Sequence, residues 1–420
     1  MKERTLHYIW QNRLYDSVTV DGEPVTVLDV GQYNIGAGPD FLVAKVEIGS
    51  IVWVGAVEIH IQASDWYHHG HDTDERYDNV VLHVVLTNDR PTTNATKRSI
   101  PTATLHVEKS VIRRIEALEE GPQALRCAPE ISAVDLDRIH DLTPRLLQDR
   151  MLQKLDKLTD AEEPYATTFF YRSLLRYLGA HQNNDAMEQV ARSLPYTYLK
   201  KHASDLTALE AMLLGQAGLI EEQPRDEYEA KLYGEYAFYR QKFGLTPLPH
   251  GLFKKLRVRP PSYPTRMLAI AAQLIHREDE LRASMVAQDY TTLTDLLSHP
   301  PSDYWQRHID FGHPAKRKMG GPGQTTLLSL LINAIIPTAY LYGRSTGDRG
   351  MAEAAIAYLS TLPPEQNRIV RLFSDHGIAP RSSADTQAIL QLHEHYCAPY
   401  SCLTCPVAPL IFQHLHFQQP

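Results

Sequence analysis

The sequence predicts an α+β protein, in which a mixed α/β core in the first third precedes a large all-α region. Apolar residues alternate or run over strand-like lengths up to about residue 107, whereas from about residue 130 they recur at helical spacing. The 420 residues are enough for two or three domains. We place these at 1–125, a β-rich core, at 126–245, a helical domain, and at 246–420, a second helical domain that contains a cysteine cluster.

The β-rich core opens with a short amphipathic helix at 4–15. Segments rich in Val and Ile follow, and the turn-forming residues between them delimit strands. The predicted strands are 24–33, 41–48, 51–61, 79–86 and 102–107. The segment 109–121 then predicts a helix that ends at Gly121.

The rest of the chain is helical in pattern, with a proline-rich junction at 245–264. The predicted helices are 144–158, 165–179, 205–219, 228–243, 265–282, 351–362 and 384–396. The longest apolar stretch, 325–343, contains Asn333 and Pro337 and lacks about 20 consecutive apolar residues. We therefore interpret it as a pair of buried helices and expect no membrane association.

The composition narrows the class of protein. The apolar share of 43% and the charged share of 22% are those of an ordinary globular chain. A net charge of −8 argues against an overall polyanion binder, although a local basic face could still bind nucleic acid. The chain starts without the apolar segment of a signal peptide, and four cysteines do not make a disulfide scaffold. We expect a cytoplasmic protein.

Carboxylates and a histidine gather on one predicted hairpin. Asp40 begins the first strand, and Glu58, His60 and Gln62 share one face of the second, because residues two apart project to the same side. The turn at 48–50 places Asp40 and Glu58 at the same end of the pair. Because adjacent carboxylates repel unless a cation lies between them, we predict Mg²⁺ or Mn²⁺ there.

This arrangement resembles the core of the PD-(D/E)XK nucleases, in which Pro-Asp lies before or on the second strand and Glu-x-Lys lies on the third. The Pro-Asp that ends at Asp40 and the Glu-x-His of Glu58 and His60 match these elements, and Glu3 is a weaker match for an additional acidic residue. The resemblance implies a metal-dependent nucleic-acid phosphodiesterase with Asp40, Glu58 and His60 as catalytic residues. Since His60 replaces the family's lysine, an inactive descendant that still binds nucleic acid is an alternative.

Three further histidines follow the hairpin, within four residues of one another. We predict that His68, His69 and His71, together with Gln62, contact substrate or metal in the same cleft; a solvated loop is the alternative. The spacing of His69, His71 and Glu75 imitates the first half of a cupin metal motif, but the motif's glycines and its second half are missing.

The cysteines point to a second metal site. Cys397, Cys402 and Cys405 lie close together near the C-terminus, and Cys-x2-Cys beside another cysteine is typical of Zn²⁺ or an iron–sulfur cluster. We assign Cys127 as the fourth ligand, and free, partly buried thiols are the alternative. The other possible fourth ligands are His393, His395 and His414.

Basic residues cluster twice in the helical region, at 254–266 and at 316–318, where they precede a glycine-rich loop at 320–326. Such segments could hold phosphates at a helix N-terminus, and solvated basic loops are the alternative. The loop lacks the lysine of a Walker A motif, so NTP hydrolysis is not predicted.

Motifs along nearly the whole chain carry a second resemblance. They are GPDF at 38–41, GAVEIH at 55–60, SDWYHHGH at 64–71, GQAGL at 215–219, LRVRPPSYPTR at 256–266 and CLTCP at 402–406. Together they resemble a bacterial family of uncharacterised proteins, the domain of unknown function 2851, which implies no activity. The function we favour is the metal-dependent phosphodiesterase. The alternative is a non-enzymatic interaction or scaffold protein with a structural Zn²⁺ or iron–sulfur site.

Overall fold

The computed structural model describes residues 1–121, 125–132, 134–158 and 165–416. The chain divides into two compact units. The strand unit comprises residues 1–142, 371–379 and 390–420. The helical unit comprises residues 143–370 and 380–389.

The strands are β1 Ser17–Val20, β2 Glu23–Asp29, β3 Gln32–Tyr33, β4 Phe41–Ile48, β5 Ile51–Gln62, β6 Val80–Thr87, β7 Thr92–Thr93, β8 Ser99–Ile100, β9 Thr102–His106, β10 His308–Asp310 and β11 His313–Pro314. The helices up to residue 216 are α1 Glu3–Gln11, α2 Asp65–His68, α3 Lys109–Glu120, α4 Ala128–Ile131, α5 Leu136–His140, α6 Thr143–Leu158, α7 Tyr165–Leu178, α8 Asn184–Ser193, α9 Tyr196–Lys200 and α10 Leu206–Gln216. The later helices are α11 Glu227–Phe243, α12 Pro264–His276, α13 Glu278–Val286, α14 Tyr290–Leu297, α15 Asp303–Arg307, α16 Gln324–Leu330, α17 Ile336–Thr346, α18 Arg349–Tyr358, α19 Arg368–Ser374, α20 Ser383–Leu392 and α21 Ala408–His416.

The predicted mixture of an N-terminal strand region and a later helical region is confirmed. Four of the five predicted strands coincide with single observed strands, to within a residue or two. The fifth, 24–33, is divided into β2 and β3 around Gly31, which has a φ of +86°. A Cβ at this position would lie 2.7 Å from the carbonyl oxygen of Leu42, so β2 bends where only glycine fits.

Strand pairing in the strand unit forms a closed ring. The order is β2-β1-β9-β6-β5-β4-β3, and β2 also pairs with β4. The β5–β6 and β6–β9 pairs are parallel, and the other pairs of this sheet are antiparallel. The predicted β4–β5 hairpin is present, with Ile48 opposite Ile51 at its turn. The end of β5 therefore lies between the start of β4 on one side and β6 on the other.

One apolar core holds the helices of the strand unit against this sheet. Leu6, Ile9 and Trp10 of α1 are fully buried in it with Val57 and Ile59 of β5. Burial of each large side chain of this kind stabilises the fold by roughly 1.5–3 kcal/mol. Because side chains alternate along β5, Glu58 and His60 lie on the opposite face of the strand from Val57 and Ile59. This face carries the site described below.

The helical unit has its own core, to which α7, α10 and α12 contribute. Every residue from Ala208 to Gln216 in α10 is buried, as expected of a helix that is apolar on all sides. Glu210 within it accepts hydrogen bonds from the Tyr228 hydroxyl at 2.6 Å and from Trp305 Nε1 at 3.0 Å. Both bonds reach Oε2, and they offset part of the cost of burying this carboxyl group.

The long apolar stretch is one continuous helix rather than the predicted pair. A π-turn at Leu331–Ile335 joins α16 to α17, and this local widening accommodates Pro337 inside the helix. Within the described part of the chain, Gln324–Thr346 is the one helix whose length and composition would allow it to cross a membrane, and 72% of its apolar window is buried inside the protein.

The two compact units have different bounds from the three predicted ranges 1–125, 126–245 and 246–420. Helices α4 and α5 group with the strands, and so does the cysteine-bearing segment from residue 390. The proline-rich junction at 245–264 lies inside the helical unit. Proline-rich stretches of a sequence indicate turns and loops. The bounds of a compact unit depend instead on which segments, often distant in sequence, pack into the same core.

Candidate metal centre

Asp40 and Glu58 meet at one end of the β4–β5 pair. The Asp40 N–H donates to Glu58 Oε2 at 3.0 Å, and the Ile59 N–H donates to Asp40 Oδ2 at 2.9 Å. The register explains this exchange, because Phe41 stands opposite Val57. Each carboxylate is therefore held by the backbone of the neighbouring strand, which keeps the two groups adjacent.

Three imidazoles converge beside Glu58. His71 Nε2 lies 3.1 Å from Glu58 Oε1, and His60 Nε2 lies 3.6 Å from the same oxygen. His60 Nε2 is also 3.0 Å from His69 Nδ1. One potential ligand atom from each of His60, His69 and His71 lies within 4.8 Å of the other two. His60 and His71 are buried, whereas His69 is exposed.

A tight turn after β5 brings the later histidines back to the strand end. α2 follows the strand within three residues, and Gly70 then adopts a φ of +73°. The His71 N–H donates to the Trp66 carbonyl oxygen at 3.0 Å, which closes the turn. Trp66 is fully buried with Tyr77, whose ring stacks on His71 at 3.8 Å between centroids. The turn is thus rigidly packed.

A fourth histidine, which the sequence analysis missed, lies behind His60. His83 stands opposite Glu58 in the parallel β5–β6 pair. His60 Nδ1 is 2.9 Å from His83 Nε2, and His83 Nδ1 is 2.9 Å from Thr92 Oγ1. Thr102 Oγ1 donates to Thr92 Oγ1 at 3.0 Å. This line of hydrogen bonds runs from the site into the interior and orients the His60 ring.

Helix α1 supplies a second missed histidine. His7 Nε2 lies 3.2 Å from Asp40 Oδ2. Glu3, one turn earlier on the same helix, interacts electrostatically with His7, Asp40 and His69, and burial is the main reason that its pKa is raised. The weak match proposed for Glu3 in the sequence therefore lies near Asp40.

Burial controls which of these groups are charged. Desolvation, with a smaller contribution from His83, His69 and His71, lowers the pKa of His60 to about 2. Burial also lowers the pKa of His83 to about 3 and raises the pKa of Glu58. His60 and His83 are therefore neutral at pH 7, and each has one nitrogen lone pair available.

His7 has the opposite tendency. Burial on its own would lower its pKa, but the hydrogen bond and the charge of Asp40 outweigh that effect, and the pKa is raised overall. The surroundings of His7 thus favour its protonated form.

Three residues that the sequence singled out lie outside the convergent group. The His68 side chain is 73% exposed, and its Nδ1 is 3.4 Å from Asp65 Oδ1. Gln62 is exposed at the end of β5, and its N–H donates to Asp65 Oδ2 at 3.0 Å. Glu75, the third residue of the cupin-like spacing, is exposed in the short turn Glu75–Tyr77. The structure brings together Asp40, Glu58, His60, His69 and His71.

The four cysteines lie together elsewhere in the strand unit. Cys127, Cys397, Cys402 and Cys405 line one small cavity and form no disulfide. His393 and His395 are not among the residues that line it, and the side chain of His414 lies outside the described residues.

The first predicted basic segment is partly internal. Arg266 is fully buried and donates to the carbonyl oxygens of Pro261 at 2.8 Å and Trp305 at 3.3 Å. Lys255 forms an ion pair with Asp310 at 2.6 Å. These contacts leave fewer cations for a phosphate than the sequence alone indicates. The glycine-rich loop does precede a helix N-terminus, at Gln324.

The sequence contains only weak indications that His7 and His83 belong to the site. His83 interrupts the apolar run NVVLHVVL, and a polar residue at a buried strand position needs a partner. His7 follows Glu3 by four residues and so shares its helix face. Neither signal names a partner, because the partners come from strands and loops that are distant in sequence.

The fold and the site define a mixed α/β protein, in which a strand unit with a histidine–carboxylate cluster is joined to a large helical unit. The chain belongs to the family described as "Protein of unknown function (DUF2851)", whose model matches residues 3–368. The match covers the whole histidine–carboxylate cluster and ends before the three C-terminal cysteines. Comparison with curated proteins and with solved structures gives no match.

Proposed function

We propose that this protein is a metal-dependent hydrolase that cleaves phosphodiester bonds in nucleic acid. The observation that carries the proposal is the convergence of His60, His69 and His71 within 4.8 Å, with the Glu58 carboxylate 3.1 Å from His71. Three imidazoles and a carboxylate around one point form the donor set of a divalent transition metal.

The donor set changes the metal that the sequence analysis favoured. Mg²⁺ and Mn²⁺ are suited to oxygen ligands, whereas imidazole suits Zn²⁺ or Fe²⁺ better. Asp40 and Glu58 alone would suit Mg²⁺, but both accept backbone hydrogen bonds, and the nearest neighbours of Glu58 Oε1 are imidazoles. We therefore expect the site to select Zn²⁺ over Mg²⁺ and Mn²⁺.

The hydrogen bonds behind His60 fit a metal ligand. A ligating histidine usually donates its second N–H to a partner that fixes the ring. Here His60 Nδ1 can donate to His83 Nε2, and His83 Nδ1 can donate to Thr92. This arrangement leaves His60 Nε2 with its lone pair directed at Glu58 and His69.

The exposure of the site favours catalysis over a purely structural metal. Structural zinc sites are closed, whereas catalytic sites keep a coordination position open. His60 and His71 form a buried floor, and the exposed His69 lies at the rim, so substrate can approach from that side. A bound divalent ion would supply a water activated for attack at neutral pH.

The proximity of Glu3, Asp40, Glu58 and His60 supports the phosphodiesterase substrate, because these are the positions that carry the nuclease resemblance. The neutral His60 cannot replace the positive charge of that family's lysine. We propose that His7, which is held beside Asp40, supplies a positive charge to a phosphate oxygen instead.

Titration calorimetry of the full chain with Zn²⁺, Mn²⁺ and Mg²⁺ tests the site, and incubation with single- and double-stranded DNA and RNA tests the activity. We expect Glu58→Gln to weaken Zn²⁺ binding at least about tenfold and to abolish cleavage, since a ligand is lost. Glu23→Gln is the matched control, because Glu23 is an exposed carboxylate in the same unit.

Two results would contradict the proposal. If no divalent metal binds, or if Glu58→Gln and Glu23→Gln bind equally well, the metal site is refuted. If a metal binds at the site but none of the nucleic acids is cleaved, the hydrolase is refuted, and a non-enzymatic interaction protein with a structural metal takes its place.

A further inference from the structure

We infer that Cys127, Cys397, Cys402 and Cys405 ligate an iron–sulfur cluster that fastens the C-terminal segment to the strand unit. The inference concerns a different part of the strand unit from the histidine–carboxylate cluster, and it does not depend on the proposed hydrolase.

Residues far apart in the sequence form this cavity. Cys127 directly precedes α4, and Cys397 ends the π-turn His393–Cys397. Cys402 begins the short turn Cys402–Thr404, and Cys405 directly follows it. All four side chains line one cavity of about 20 Å³. The apolar residues that complete its lining include Leu118, Leu125, Val407, Ala408 and Ile411.

The thiols are gathered without forming a disulfide. All four are free, and they are the only cysteines in the 420-residue chain. A chain that contains so few cysteines and places every one of them on a single cavity has the ligand set of a thiolate-bound metal.

The spread of the sulfurs favours a cluster over a single zinc ion. With Zn–S bonds of about 2.3 Å, a tetrahedral Zn²⁺ holds its sulfurs about 3.8 Å apart. Among the described residues, the one histidine, cysteine or carboxylate group that lies within 4.8 Å throughout is His60, His69 and His71. No three of the four described sulfurs form such a group, whereas an iron–sulfur cluster distributes its cysteines over several metal atoms.

A cation lies beside the thiols. Arg126 also lines the cavity, and its guanidinium stacks over the Tyr400 ring at 3.9 Å. Its Nε donates to the carbonyl oxygen of Gly121 at 2.8 Å. Four thiolates around a cluster leave net negative charge in an apolar cavity, and Arg126 is placed to balance it.

The cavity also explains how the last helix is held. Cys402 and Cys405 pack against the core of the strand unit, in which Ala408 and Phe412 of α21 are buried. Phe412 contacts Tyr8 of α1 edge-to-face, with 5.7 Å between ring centroids. The cluster thus fixes a segment that supports the helix bearing Glu3 and His7.

The test is metal analysis of the full chain, purified without oxygen and reconstituted with iron and sulfide. We expect iron and acid-labile sulfide in equal amounts and a broad absorbance near 400 nm that dithionite bleaches. Cys402→Ser and Cys405→Ser should each lose most of this absorbance. Thr404→Ser is the matched control, because the exposed Thr404 lies between these two cysteines and supplies no thiol.

Folding is monitored separately, so that a failed variant remains informative. Circular dichroism shows whether each variant keeps its secondary structure, and the midpoint of thermal unfolding shows whether the strand unit is intact. Zinc bound at the cysteines without sulfide would overturn the cluster, as would iron retained equally by Cys402→Ser and Thr404→Ser, or no metal at all after reconstitution.

Discussion

His60 shows how one side chain acquires a role from its surroundings. Its position two residues after Glu58 places both groups on one face of β5. Desolvation keeps the imidazole neutral by lowering its pKa to about 2. His83 orients the ring from behind, and Thr92 in turn holds His83. The residue type makes ligation possible, whereas the neighbours determine which nitrogen faces the site.

Thr92→Val tests this chain of hydrogen bonds. The substitution keeps the shape of the buried side chain but removes the hydroxyl that holds His83 Nδ1, so we expect Zn²⁺ affinity at the histidine site to fall by about 10–100-fold. Thr19→Val is the control, because Thr19 contacts the exposed His106 at 3.0 Å in the same unit. Equal affinities in the two variants, measured by competition with a zinc chelator, would contradict the orienting role.

At the scale of elements, close backbone approach determines where glycine is required. Gly215 lies in α10, where a Cβ would fall 2.1 Å from Cγ of the Tyr236 ring on α11. Gly234 lies in α11, where a Cβ would meet nothing within 4 Å. Both glycines occur inside predicted helices and look equivalent in the sequence. The packing of α10 against α11 makes one necessary and leaves the other free.

These two glycines should therefore respond in opposite directions to alanine. Gly215→Ala forces Tyr236 out of a packed position, and we expect the free energy of unfolding to fall by about 1–3 kcal/mol. Gly234→Ala removes backbone freedom without a clash, and the free energy should rise by up to about 1 kcal/mol. Denaturant unfolding followed by circular dichroism measures both. A loss of stability in Gly234→Ala as large as in Gly215→Ala would refute the explanation.

At the scale of the whole molecule, the strand unit is built from both ends of the chain. The first 142 residues provide the sheet, and residues 390–420 return to it. Phe412 is 1% exposed in the same core as Leu6, Ile9 and Trp10. The C-terminal segment is thus part of the unit that carries the histidine–carboxylate cluster.

Phe412→Ala measures what this return contributes. Removal of a buried aromatic ring typically costs about 3–5 kcal/mol, so we expect a clear drop in the thermal stability of the strand unit. We also expect weaker metal binding at the histidine site, because Tyr8 of α1 loses its contact. Ile35→Ala is the control, since Ile35 is 95% exposed in the same unit. If Phe412→Ala unfolds no earlier than Ile35→Ala, α21 does not stabilise the unit.

Much of the local structure was predictable. The limits of β4, β5, β6 and β9 follow from apolar alternation and turn residues, and the hairpin that joins Asp40 to Glu58 follows from the short turn between two such runs. The grouping of His60, His69 and His71 was predictable in part, because they lie within twelve residues of one another. His68 was included with them although the turn directs it outward.

Residues brought in from elsewhere in the chain were not predictable. His7, His83 and the Thr92 hydroxyl reach the site from helix α1, the parallel strand β6 and the short strand β7. Parallel pairing joins segments that a sequence pattern does not connect. The division into three ranges differed from the two compact units for the same reason, since the C-terminal segment adds to a core formed by the first residues.

The sequence by itself determined the α+β class, the family, the carboxylate–histidine hairpin and the set of four cysteines. Each of these depends on residue type and short-range spacing, which act before the chain folds. Only the tertiary structure decided that three imidazoles converge on Glu58, that His83 orients His60, and that the cysteines share one cavity. These features depend on which distant segments pack together. In the strand unit, the segments that pack together are those that bury their apolar side chains in one shared core.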